Sequence, residues 1–251
     1  MRIKCIGCDA LARIIYLCAA QSPHLVDITL LRLGLHRNPA DLQERLQVEI
    51  DNVTHQRLES GLHYDAIVMA YGLCGRATAG ISARDIPVII PRAHDCITLF
   101  LGSRARYEEQ HQKQPGTYWY SPDYIERGSQ DGTLTALGAA DAFNIEGEYD
   151  QYVAKYGKDN ADYLMEVMGA WRSHYQRAAF IDMGVGDSRQ VEAKAKEEAS
   201  RRGWGYERVA GDLVLVRRLL NGDWDEDFLT LQPGQKLAMS YDERVICAEG
   251  D

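Results

Sequence analysis

The sequence predicts an α/β protein on mostly parallel, doubly wound, Rossmann-like sheets, with two α/β halves joined by a loop-rich middle. Two observations carry that prediction. Short apolar, partly β-branched runs at 3–8, 26–33, 65–71, 88–90, 178–183, 205–209 and 228–231 have the length and composition of buried strands. Helix-like segments alternate with most of them, the order expected when parallel strands are joined by crossover helices. The matching division is an N-terminal α/β unit over 1–112, an irregular and helical connection over 113–177, and a C-terminal α/β unit over 178–251. Period and order leave open whether the two halves share one sheet.

Residues 3–8 read as a short buried strand. Asp9 is placed to cap a helix running through Ala10 to Leu17. Val26 to Leu33 is a second strand, with His36 just past its end. Pro39 suits the first turn of the next helix, where its fixed φ is helical and its missing N–H costs no bond. Leu42, Leu46, Ile50 and Val53 then recur at helical spacing and mark one buried face. Asp65 to Tyr71 and Val88 to Ile90 are the third and fourth strands, and Ile97 to Tyr107 starts a further helix. From Pro115 to about Asp141 the chain is rich in Gly, Ser, Asp and Tyr without a sustained period, and reads as loops able to cover a site. Tyr163, Leu164, Val167, Met168, Trp171 and Tyr175 outline an amphipathic helix. The second half runs as strand 178–183, helix 190–202, strand 205–209, helix 212–220 and strand 228–231.

Composition narrows the function classes. With 251 residues, 45% apolar and 26% charged, the chain can bury an ordinary globular core. No apolar run approaches the roughly 18 residues of a membrane span, and Met1 leads straight into a strand-like run without a signal-peptide pattern. A cytoplasmic location and no membrane association are therefore expected. A formal charge of -9 argues against a general nucleic-acid binder, and Arg201-Arg202 and Arg217-Arg218 are too short to form a basic stripe. The expected partner is a small-molecule substrate.

In a reducing compartment, six cysteines point to buried, catalytic or metal-bound thiols rather than a disulfide framework. Cys18, on the apolar face of a helix, and Cys247, near the C-terminus, read as bystanders. Cys8, Cys74 and Cys96 differ, because each closes a strand-like stretch. Carboxyl ends of parallel strands share one edge of a sheet, and ligands bind in the crevice outside it. Three soft donors gathered there suggest a metal site, with His94 and His36 near the same edge. Thiolate and imidazole are the natural ligands of zinc and of iron–sulfur clusters. Three protein ligands leave a coordination position open, and three cysteines on a [4Fe–4S] cluster leave one iron for substrate. Cys5 is excluded, since three positions along a strand place it on the face opposite Cys8. Taken singly, each cysteine reads as core; their grouping at strand ends favours a shared site. His36 reads equally well as a loop or capping residue.

Gly72 and Gly75 flank Leu73-Cys74 and would allow close backbone approach to a cofactor, although an ordinary tight turn needs glycine just as much. Two arginines in Gly102-Ser103-Arg104-Ala105-Arg106 offer donors to an anion but read more simply as a solvated helix face. Asp182, at a strand's carboxyl end, is a candidate acid/base or a partner of a ligand, and equally a cap. The following Gly184-Val185-Gly186 is too short a match to a dinucleotide turn to carry weight. Tyr118-Trp119-Tyr120 and Tyr124 could wall a pocket, though such a run is more often packing.

Cys8-Asp9-Ala10-Leu11-Ala12-Arg13, His36-Arg37-Asn38-Pro39, Tyr71-Gly72-Leu73-Cys74-Gly75 and Pro91-Arg92-Ala93-His94-Asp95-Cys96 together resemble the DUF1638 family of bacterial and archaeal proteins. Leu101 to Tyr107 and Pro115 to Pro122 extend the likeness over most of the chain. The family pattern has one cysteine at the end of the first strand, matched by Cys8, which leaves Cys5 extra. The resemblance implies company with corrinoid-dependent methyltransferase systems. A role in one-carbon or methylamine-type metabolism, with a corrinoid protein or methyltransferase as partner, follows from it, without an assigned reaction.

Three hypotheses follow. The first is a metal-dependent transferase or lyase, or an accessory factor, with Cys8, Cys74 and Cys96 as ligands. In it a zinc ion would activate a thiol for alkyl transfer, or a [4Fe–4S] cluster with an open iron would act as a Lewis acid. The His94-x-Cys96 pair is similar to that of zinc methyltransferases acting on corrinoids. The second is a metal-free enzyme with Cys74 or Cys96 as nucleophile and His94 or His36 as base. The third is a non-catalytic partner of a corrinoid protein or methyltransferase.

Overall fold

Arg2–Cys8 (β1) sits inside the main sheet, paired in parallel with Leu25–Leu31 (β2) on one side and Ala66–Ala70 (β3) on the other. Val88–Pro91 (β4) continues in parallel beyond β3, and Phe228–Leu231 (β8) closes that edge antiparallel, giving the order β2-β1-β3-β4-β8. This computed structural model describes residues 1–60, 63–128 and 175–250, together with 153, 157, 158 and 160.

Alternation along the strands divides the core in two. Ile3, Cys5, Val68 and Ile89 face one side of the sheet, where Ala12–Gln21 (α1) contributes Ile14, Ile15 and Cys18. Ile6, Ile67, Met69, Val88 and Ile90 face the other, where Pro39–Ser60 (α2) contributes Leu42, Leu46, Ile50 and Val53. The chain thus crosses from β1 to β2 on one face and returns from β2 to β3 on the opposite face. The segments leaving β1 and β3 consequently turn to opposite sides. Their carboxyl ends are the topological switch point of the sheet, where a crevice opens without any side chain having to be removed.

The second half is divided between two sheets. Thr117–Tyr120 (β5), Arg177–Asp182 (β6) and Gly205–Ala210 (β7) form a separate parallel sheet, covered by Arg189–Arg202 (α6). After β7 the chain returns to the first sheet. Val214–Asn221 (α7) packs beside α1, β8 joins β4, and Leu237–Met239 (β9) pairs with Ile246–Ala248 (β10) over the second core. The segment beyond 178 therefore contributes to both sheets. Among the described residues, no helix is long and apolar enough to cross a membrane.

Four local expectations change. Tyr118-Trp119-Tyr120 is a buried strand, β5, whose irregular flanks disguise it; parallel pairing with β6 buries all four of its residues. The helix expected over 97–107 is two, Cys96–Leu101 (α3) and Arg104–Lys113 (α4), because Gly102 turns left-handed at φ 82 and the Ser103 hydroxyl accepts from the Arg106 N–H. Asp9 does not cap α1: it begins a tight 3-10 turn, Asp9–Leu11, and makes no capping bond. Pro122–Gly128 (α5) occupies part of the expected loop region. The rest of that region, 129–141, and the expected amphipathic helix up to 174 lie outside the described residues.

Candidate functional site

Four parallel strands deliver their next residues to one cavity of about 260 Å³. Cys8 ends β1 and Leu11 follows it, Arg32, Leu33, Leu35, His36 and Arg37 follow β2, Tyr71, Cys74 and Gly75 follow β3, and His94 to Cys96 follow β4. Leu33, Leu35 and Leu42 give it apolar walls, and Tyr124 reaches it from α5. Cys8, Cys74 and Cys96 are half-buried and line this space, whereas Cys5, Cys18 and Cys247 are buried and do not. All six are free thiols.

The two loops that carry Cys74 and Cys96 are clamped together. The N–H groups of Leu73 and Cys74 donate to the carbonyls of Ala93 and His94 at 2.8 and 2.9 Å. Gly72 makes the clamp possible: a Cβ there would stand 2.7 Å from the Asp95 nitrogen and 2.9 Å from the Ala93 oxygen. Beyond it Cys74, Gly75 and Arg76 adopt φ of 47°, 65° and 78°, three successive left-handed residues of which two carry side chains. Each of the two with a side chain costs about 1–2 kcal/mol, and strain of this kind concentrates where geometry serves a site. Asp95 fixes the other loop, its Oδ1 accepting from the Ile97 N–H at 2.9 Å so that Cys96 begins α3. The His94 ring lies 6.0 Å from that of Tyr107, centroid to centroid, on α4.

Burial governs the electrostatics. It pushes the Cys8 thiol up to about 12, and raises Cys74 and Cys96 further, helped by the neighbouring Asp95 charge. Burial also raises Asp95 itself, against the stabilising N–H of Ile97. The Tyr71 hydroxyl is held well above its ordinary range by burial and by the Cys8 thiol beside it. Its oxygen is buried, on a cavity-lining residue only 3% exposed, and makes no well-formed hydrogen bond.

One consequence is a fall in stability at high pH. The folded protein holds the protons of Cys5 and Cys8 up to about 12, against an ordinary 9.0 for the unfolded chain. Their contribution is complete below about pH 9 and is lost as pH rises toward 12, because the unfolded state then binds fewer protons. Urea midpoints of the metal-free protein should therefore decline between pH 8 and pH 10.5, and decline less in Cys5→Ala. An unchanged midpoint would show that the thiols are not held protonated by burial.

Placement of the sequence candidates is uneven. Cys8, Cys74, Cys96, His36, His94 and Gly75 line the cavity. Gly72 stands behind it as the clamp. Asp182 lies in the second sheet, where Arg208 binds it at 2.6 Å. Burial would raise its pKa, but the Arg208 and Gly184 N–H bonds bring it below the usual carboxylate range. That arrangement suits an ion pair and the turn into Gly184. Tyr71, Asp95 and Arg32 were not singled out from the sequence, although all three lie at strand ends, where the rule that found the cysteines applies equally.

As the side chains stand, no three His, Cys, Asp or Glu groups among the described residues are disposed to hold a metal ion. A single zinc ion needs its donors gathered about one point, so a mononuclear centre would require these side chains to rearrange.

Residues 30–220 match the family described as a protein of unknown function, DUF1638. No curated protein and no solved structure matches the chain.

Proposed function

The chain belongs to the DUF1638 family, and from that premise we propose that the cavity holds an iron–sulfur cluster on Cys8, Cys74 and Cys96, with one iron open to a small-molecule substrate. The observation that carries this reading is the selection among cysteines: the three at strand ends line one cavity and the other three do not. A four-iron cluster places each cysteine on a different iron, so its thiolates stand apart instead of meeting at one point. Separate strand ends around a common space suit that demand better than the demand of a single zinc ion. When bound, such a cluster supplies a Lewis-acidic iron.

The chain's own residues supply the rest of the chemistry. The leucine walls give the cavity an apolar lining, and the Tyr71 hydroxyl, without a well-formed hydrogen bond, stands beside Cys8. His94 and His36 line the same space and are the groups to move a proton there. On this reading the protein is a transferase or lyase. Its one-carbon setting and a corrinoid protein or methyltransferase as partner belong to the proposal through the family resemblance alone. The metal-free cysteine nucleophile, Cys74 or Cys96 with His94 or His36 as base, draws on the same cavity lining, and metal analysis separates it from the cluster.

The test is metal and sulfide analysis with a visible absorption spectrum on protein purified and reconstituted without oxygen. About four iron and four sulfide per chain, with the broad absorption of such clusters, is the expected result. Zinc alone would replace the cluster by the thiol-alkylating centre. Absence of any bound metal after reconstitution would overturn both and leave the nucleophile or the docking protein.

A further inference from the structure

We infer that the cavity selects a small organic anion, with an apolar body against the leucine walls and a carboxylate or phosphate head held by Arg32. The inference rests on the reading of this cavity as a substrate site and names the class of substrate it takes. The charge around it runs against the rest of the molecule. The chain has 37 acidic and 28 basic residues, yet among the described residues the lining holds two arginines, Arg32 and Arg37, against one acid, Asp95, and Arg37 already has a partner of its own. One oxygen of Asp95 is already bound by the Ile97 N–H as the cap of α3.

Arg32 is distinguished by what it does not hold. Arg2, Arg13, Arg177, Arg208 and Arg218 all end on carboxylates. Arg32 leaves the end of β2, lines the cavity, and forms no ion pair with a described carboxylate; its charge reaches Asp9 only at a distance. A guanidinium presents parallel N–H donors that match the two oxygens of a carboxylate or phosphate. The space of about 260 Å³ lies just below the roughly 300–1,000 Å³ of pockets for drug-sized ligands, which suits a compact metabolite. Arg32, exposed at the end of β2, shares the lining with the leucine walls and the thiols, a set of groups that suits an amphipathic anion.

The test uses n-butyrate, n-butyl phosphate, n-butanol and n-butylamine as probes, with binding followed by ligand-observed NMR. It is run on metal-free and on anaerobically reconstituted full-length protein. One or both anions should bind at least about tenfold more tightly than butanol or butylamine, and whichever head binds more tightly identifies the preferred oxyanion. Arg32→Gln should weaken the anions by about tenfold or more and leave butanol unchanged, with Arg32→Lys between them. Arg189→Gln, an exposed arginine on the second unit, should have no effect. Equal binding of butanol and the anions, no anion binding in either form, or an unchanged affinity in Arg32→Gln would each overturn the inference. Iron and sulfide measured on the same samples separate the two readings. Anion selectivity without a cluster removes the cluster alone, and a cluster without anion selectivity removes this inference alone.

Discussion

Gly72→Ala is expected to destabilise the protein by about 3 kcal/mol, the upper end of the overpacking range, and to spread the cavity open. The added Cβ would meet the backbone of Asp95 at 2.7 and 2.8 Å and the Ala93 carbonyl at 2.9 Å. Backbone atoms cannot rotate away as a side-chain tip can, so the two loops must separate. Separation breaks the bonds from Leu73 and Cys74 to Ala93 and His94, and with them the spacing of Cys74 from Cys96. A fall in melting temperature on the order of 10 °C follows for a chain of this size, together with loss of any bound cluster. Gly75→Ala is the matching control. It meets nothing within 4 Å and bears only the cost of a side chain at φ 65°, about 1–2 kcal/mol. Equal effects of the two exchanges would show that strain in the turn, not contact between the loops, organises this edge.

Cys74→Ala is expected to remove essentially all cluster iron while changing the stability of the metal-free protein by less than about 1 kcal/mol. The half-buried thiol packs only at the edge of the second core, and alanine adopts the same left-handed φ of 47° at about the same cost. Cys8→Ala and Cys96→Ala should lose the cluster likewise. Cys18→Ala should show the opposite pattern: its thiol is fully buried on α1, so truncation lowers stability by about 1 kcal/mol and leaves iron content intact. Iron and sulfide per chain, set beside urea midpoints measured without metal, separate a ligand from a core residue. If Cys74→Ala retained its iron, Cys74 would be no ligand and the strand-end selection would lose its meaning.

Much of this edge was legible before any coordinates, for a simple reason. Strands β1, β3 and β4 are short apolar runs buried on both faces, so their ends are marked in the sequence where Gly, Cys and polar residues begin. Once the sheet is taken as parallel, those ends must lie on one side. The same logic covered Leu42, Leu46, Ile50 and Val53, whose spacing marks the buried face of α2. It failed for β5, because Thr117–Tyr120 lacks aliphatic β-branched residues and sits between Pro115 and Pro122, so the local signal is that of a loop. Its strand character comes from pairing with β6, more than fifty residues later in the chain.

The sequence by itself determined the fold class, the strands of the first sheet and the cysteines standing at their carboxyl ends. These follow from periodicity and from the one-sidedness of parallel connections, both local or nearly local properties. Tertiary structure alone decided that the second half forms its own sheet and then returns β8 to the first. It also decided that Asp182 is bound to Arg208, away from the cavity, and that Arg32 and Tyr71 line it. Those outcomes depend on which distant segments pack together, and a residue's neighbours across a sheet edge leave no mark on the residues beside it in the chain.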